Sequence, residues 1–144
     1  MTEVIDQPPP VSCADRRPAW DIVIEYVAQH RNANAYGACG VIDIVLDDMR
    51  ARDRIGRDRY GVALTSGNGR DHLIDAAQEA LDLVVYLAAE LDERGVGPET
   101  QIDEAVSADP RARWQTYCIQ QLFSSQVRAL IQLRALIEER VQAS

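Results

Sequence analysis

Apolar side chains recur every three or four residues over most of this chain, the spacing of one face of an α-helix. The clearest case is Ile74, Ala77, Leu81, Val84, Ala88 and Leu91. It predicts a helix over residues 71–95, capped by Asp71 or Asn68 and stopped at Gly95. Pro18 suits a first helical position and opens an amphipathic segment ending near Asn32, where Asn32-Ala33-Asn34 marks a turn. A second helix is expected from about Ala38 to Arg57. Residues 58–70, DRYGVALTSGNGR, hold Gly61, Gly67, Gly69 and Asn68 and read as a loop. Pro110 opens a last helix reaching about Gln142. Strict apolar/polar alternation and hairpin dipeptides are missing, so no strand is predicted. The expected fold is all-α, four-helix and bundle-like, with a long C-terminal helix.

The rest of the chain fills in around these helices. Residues 1–17 contain Pro8-Pro9-Pro10 and read as a mobile tail. Residues 18–144 read as a single helical domain, with its core in 18–95, a connector over 96–109 and an assembly helix over 110–142. On that last helix Phe123, Val127, Leu130, Ile137 and Val141 draw one stripe, interrupted by Arg134 and widened by Leu122, Leu133 and Leu136. A stripe so wide on a helix longer than its neighbours leaves an apolar patch that soluble monomers rarely expose. At least a homodimer through residues 110–142 is therefore expected.

Composition narrows the chemistry. The 144 residues carry a net charge of −8, which argues against general nucleic-acid binding. No apolar run approaches the ~20 residues that cross a bilayer, and the acidic, proline-rich start does not read as a signal peptide. Cys13, Cys39 and Cys118 are widely spaced and odd in number. They read as reduced thiols, and the expected location is the cytoplasm. All 15 basic residues are arginine. Without lysine there is no phosphate-loop lysine and no Schiff base, and the two histidines come with no GxSxG motif. Any catalysis then falls to carboxylates and a metal.

Two sets of acids could supply it. Asp75, Glu79 and Asp82 are spaced by four and three, so at ~100° per residue they share an arc of about 60°, with Tyr86 on the same line. That arc lies opposite the predicted core stripe. Hard cations such as Mg²⁺ take oxygen ligands, usually one or two carboxylates plus water and phosphate. The preceding helix adds Asp43, Asp47, Asp48 and Asp53. Acids converging from two helices would need a cation between them. The plainer alternative for both sets is a solvated helix face. Beside them stand Arg50, Arg52, Arg54, Arg57 and Arg59, then Tyr60-Gly61 and the NGRD run from Asn68 to Asp71. Arginine grips phosphate bidentately, and a loop opening a helix offers free N–H groups to an anion. Arg52, Arg57, Arg59, Arg70 and Asn68 are thus candidate phosphate contacts, with Tyr60 a candidate base-stacking residue. Ordinary i,i+4 charge pairing is the competing reading of the arginines.

The run from Arg50 to Leu91, RARDRIGRDRYGVALTSGNGRDHLIDAAQEALDLVVYLAAEL, resembles the short phage- and prophage-type MazG-like all-α nucleotide pyrophosphohydrolases. The likeness covers roughly 40 residues, through a pattern of R…G…YG..L…NGRD.L.DA.QE.LD..YL. It implies a helical oligomer that hydrolyses nucleoside triphosphates to monophosphate and pyrophosphate with Mg²⁺, Mn²⁺ being an alternative. In that superfamily an EExxE motif on one helix and an ExxD motif on the next hold the metal. Glu79 and Asp82 match ExxD. Asp47-Asp48 stand where the first pair of EExxE would be, but Ala51 occupies its third position. The ligand set implied is Asp47, Asp48, Glu79 and Asp82, with Glu79, Asp82 and Asp75 as catalytic candidates. Two further readings stay open: a phage protein that binds or sequesters a nucleotide without turnover, and a helical assembly or adaptor protein.

Overall fold

The structure, a computed structural model, describes residues 7–29 and 39–143. Among them are four helices and no strand: α1 (Ala19–Gln29), α2 (Cys39–Tyr60), α3 (His72–Glu93) and α4 (Pro110–Ala143). The all-α expectation holds, and α4 is the long C-terminal helix. The turn expected at Asn32–Asn34 and His30 lie outside the described residues. The chain forms two compact units, Met1–Arg70 and Asp71–Ser144. Their boundary falls inside the stretch 18–95 that the sequence presents as one core.

In the first unit α1 packs on α2. Trp20, Ile24, Val27 and Ala28 form the half-buried face of α1, and Leu46 is the buried centre of α2, flanked by half-buried Ile42 and Met49. The segment expected as a mobile tail is held from Pro8 onward. It runs antiparallel to the glycine-rich loop: the Ala19 amide donates to the Leu64 carbonyl (2.8 Å) and the Val11 amide to the Asn68 carbonyl (2.9 Å). Pro18 and Thr65 form an isolated antiparallel bridge between them. Backbone pairing of this kind needs no periodic side-chain signal, so the sequence pattern does not announce it.

In the second unit α3 and α4 form an antiparallel hairpin pinned at both ends. Arg94, just past α3, donates to the Thr116 hydroxyl (3.2 Å), and Arg140 near the end of α4 donates to the Asp71 carboxylate (3.2 Å). The two pinned stretches match in length to within a residue, so α3 lines most of α4. The apolar stripe of α4 therefore faces its own chain. Ile137 is buried and Phe123, Val127 and Leu130 are half-buried, while Val141 is exposed. Apolar residues remain exposed along α4 outside that packed face, among them Leu122, Ile131 and Leu136, and near its start Trp114 stacks on Tyr117 at 5.7 Å. On α3 the centre of the packed face is Ala80 and Leu91, with Leu73, Ala77, Val84 and Leu87 half-buried around them. That is a rotation of roughly 50° from the predicted stripe, which leaves Leu81 exposed. Periodicity gave the helix, but its long apolar arc let α4 choose the face.

Gly95 ends α3 as expected. Its φ of +72° belongs to the left-handed region. The Gly95 amide donates to the Asp92 carbonyl (2.8 Å) and the Val96 amide to the Leu91 carbonyl (3.1 Å), the paired bonds of a Schellman motif. Leu91 and Val96 are both buried, the apolar contact that usually accompanies it. A Cβ at Gly95 meets no atom within 4 Å, so the cost of substitution is backbone strain alone. Gly95→Ala is expected to lose about 1–2 kcal/mol in chemical denaturation, with helicity unchanged. Leu130→Asp should destabilise the chain by roughly 2 kcal/mol in the same measurement, because it places a charge on the face packed against α3. An unchanged midpoint would mean that Leu130 faces solvent.

Candidate functional site

The acids of α3 take up the outer face, opposite the side that packs on α4. Glu79 and Asp82 are exposed, Tyr86 beside them is 70% exposed, and Asp75 is half-buried in the first turn. No salt bridge among the described residues engages Glu79 or Asp82. The expected one-sided display is present.

The acids of α2 do not share one face. With ~100° per residue the helix divides three ways. Ile42, Leu46, Met49 and Gly56 lie on the packed face together with Asp53, whose carboxylate receives both bonds from the Arg57 Nε (2.9 and 3.0 Å). Asp43, Asp47, Arg50 and Arg54 line a charged face, and there Arg50 pairs with Asp47 at 2.9 Å. Asp48 lies on the third face, with Arg52 and Arg59. Asp47 and Asp48 thus diverge by their single residue of separation, and Asp47 and Arg57 already have partners. Among the described residues, no three His, Cys, Asp or Glu side chains gather as a metal cage requires. The EExxE-like half belongs to the first unit and Glu79–Asp82 to the second. What fits a cation on α3 is a two-carboxylate display, within the number Mg²⁺ commonly takes from a protein.

The glycine-rich loop departs furthest from the phosphate-cradle expectation. Asp71 is the N-cap of α3, and its Oδ1 accepts from the Leu73 amide (2.9 Å) and the Ile74 amide (3.4 Å). The orphan N–H groups expected to hold an anion are therefore met by the chain's own carboxylate, which Arg140 also contacts. This is a stable arrangement, since the carboxylate satisfies the donors and sits at the positive end of the helix dipole. Arg70 donates to the Pro8 carbonyl at 2.7 Å. Asn68 is wholly buried and accepts from the Arg70 amide (3.2 Å) through Oδ1, so it is a structural element of the loop. Its Nδ2 and the Thr65 hydroxyl are buried with no hydrogen-bond partner among the described residues. Groups of this kind cost about 1–3 kcal/mol each, of the order of the backbone bonds that close the segment over the loop. The Arg59 guanidinium lies 5.3 Å from the Tyr60 ring centroid, so one face of that half-exposed ring already carries a cation.

Comparisons with protein-family models, curated proteins and solved structures return no match. Among the residues that shape these surfaces, periodicity gave no hint of Arg140, Thr116 or Pro8. Their roles depend on contacts across 69, 22 and 62 positions of sequence. Gly67 carried a readable signal: its φ is +71°, and a Cβ there would meet the Cys13 sulfur at 3.4 Å.

Cys13 itself has a shifted acidity. Its thiol donates to the Asp15 carboxylate at 3.2 Å, and that bond, reinforced by the negative charge of Asp15, pushes the thiol pKa up. The thiolate is the nucleophile, so Cys13 should react slowly with iodoacetamide near pH 8. In a background lacking Cys39 and Cys118, Asp15→Asn is expected to speed that reaction roughly two-fold or more and to move its pH profile downward. An unchanged profile would show that Asp15 does not hold the proton.

Proposed function

We propose that this chain is a metal-dependent nucleoside triphosphate pyrophosphohydrolase of the MazG-like kind, cytoplasmic and phage-associated, releasing monophosphate and pyrophosphate. The observation that carries the proposal is the pair Glu79 and Asp82, exposed one helical turn apart on α3 in the ExxD arrangement. They would hold Mg²⁺ or Mn²⁺, with Asp75 beside them in the first turn of the same helix. When bound, the metal would supply charge neutralisation at the phosphates and a lowered pKa for the attacking water. Arg52 and Arg59, both exposed, are the candidate phosphate contacts that no salt bridge among the described residues engages, whereas Arg57 and Arg70 would first have to leave Asp53 and Pro8. No helix among the described residues is long and apolar enough to cross a membrane.

A specific observation favours a second reading, a helical assembly protein or a nucleotide binder without turnover. Asp71, Arg70, Arg57 and Asp47 are all engaged by the chain's own groups. Pyrophosphate release from a panel of nucleoside triphosphates with Mg²⁺ decides between them. The hydrolase reading expects turnover that Glu79→Gln lowers by roughly 100-fold or more, the size of losing several kcal/mol of metal stabilisation. Turnover that is absent while calorimetry detects nucleotide binding supports the binder. Absence of both leaves the assembly protein.

A further inference from the structure

The third face of α2 is built for a partner. Val41, Val45, Asp48, Arg52, Ile55 and Arg59 step by four and three, a seam of the coiled-coil kind, with Ile44 beside it. Its apolar members reach solvent: Val41 and Ile55 are each 55% exposed and Val45 36%, with the neighbouring Ile44 at 61%. Asp48 and Arg52 are exposed too, and neither takes part in a salt bridge among the described residues. This differs from the adjacent charged face, where Arg50 is neutralised by Asp47. An apolar stripe with two opposite charges at its centre is neither a solvated face nor the core face, which Leu46 occupies.

The order of residues along the seam says what covers it. Counting outward from position 50, Asp48 and Arg52 stand two residues away on either side, Val45 and Ile55 five, and Val41 and Arg59 nine. We propose that α2 docks antiparallel on α2 of a second copy of this chain about a two-fold axis at this level. The axis sets Asp48 of each copy against Arg52 of the other, Val45 against Ile55, and Val41 against the aliphatic stem of Arg59. Antiparallel seams pair in this alternating way, and a two-fold contact requires such self-complementarity. A parallel dimer would stack Asp48 on Asp48 and Arg52 on Arg52, so charge selects the direction. A shift of one heptad one way sets Asp48 against Val45 and Arg52 against Val41. The other way keeps a charge pair between Asp48 and Arg59 but sets Arg52 against Ile55 and carries Val41 and Val45 past the end of α2. Only the register about position 50 pairs every member of the seam. The contact spans residues 41–59, about 27 Å of helix. This assembly commits Asp48 and Arg52 to the second copy, leaving Glu79 and Asp82 as the metal ligands and Arg59 as the exposed phosphate candidate of the proposed activity, and association is measured without reference to turnover.

Sedimentation velocity on the full chain over the micromolar range tests it. The wild type should form a dimer, Arg52→Asp should weaken it at least about tenfold by setting four acids together, and Asp48→Arg with Arg52→Asp should restore it. A monomer at every concentration overturns the proposal. So does a dimer indifferent to Arg52→Asp, which would place the contact elsewhere, for instance at exposed Leu122 and Leu136 of α4. Failure of the charge swap to restore association overturns the antiparallel pairing. Should Arg52→Asp not fold, cysteines at Val45 and Ile55 in a background free of native thiols decide instead. Within one helix they lie about 15 Å apart, too far to bridge, so a disulfide-linked dimer supports the contact and its absence overturns it.

Discussion

Two long antiparallel helices can slide along one another unless something fixes their register, because an apolar stripe offers much the same contact one turn up or down. In the second unit arginines fix it. Arg94 reaches the Thr116 hydroxyl at one end of the hairpin, and Arg140 reaches the Asp71 carboxylate at the other. Between these pins Leu91, Ala80 and Ile137 are brought to burial, and Gln120 is set where its Nε2 donates to the Gly97 and Thr100 carbonyls (2.8 and 2.9 Å). The connector is thereby held by α4, and the Schellman turn at Gly95 points the chain toward it. Each pin is a modest bond in a partly wet site, but together they choose one register among near-equals.

The same constraint bears on function. Asp71 serves the Leu73 and Ile74 amides and Arg140 at once. A carboxylate in that position stands where an incoming phosphate would, and it carries the same sign. The NGRD run, read as a loop that presents amides to an anion, is thus largely a folding element: Asn68 shapes the turn, Arg70 ties down the preceding segment, and Asp71 starts the helix. The carboxylates left over, Glu79 and Asp82, lie on the surface that folding does not use. Chemistry proposed for this chain therefore concentrates on the outer face of α3.

On α2 a helix of 22 residues carries three stripes of different character, and each stripe meets a different environment. The packed stripe holds Leu46, and the charged stripe neutralises itself through Arg50 and Asp47. The remaining stripe combines exposed valine and isoleucine with Asp48 and Arg52, opposite charges that no salt bridge among the described residues engages. Sorting the arginines by stripe separates those that are structural from those that are available, a distinction that their clustering in sequence conceals.

The all-α fold, the four helices and most of their ends were legible in the sequence, because they depend on local chemistry: helical periodicity, proline at a first turn, an aspartate N-cap, a glycine able to adopt positive φ. The one-sided display of Glu79 and Asp82 was legible for the same reason, since spacing alone sets the angle between side chains on a helix. What only the tertiary structure decided were the choices among competing partners. The arc of α3 was wide enough to pack through Leu81 or through Ala80, and α4 selected Ala80. Arg57, Arg70 and Asp71 carry charges that could equally have met a ligand, and Asp53, Pro8 and Arg140 met them first. Local pattern reports what a residue is able to do, but long-range contact determines which of its partners arrives, and no spacing rule encodes a bond between positions 71 and 140.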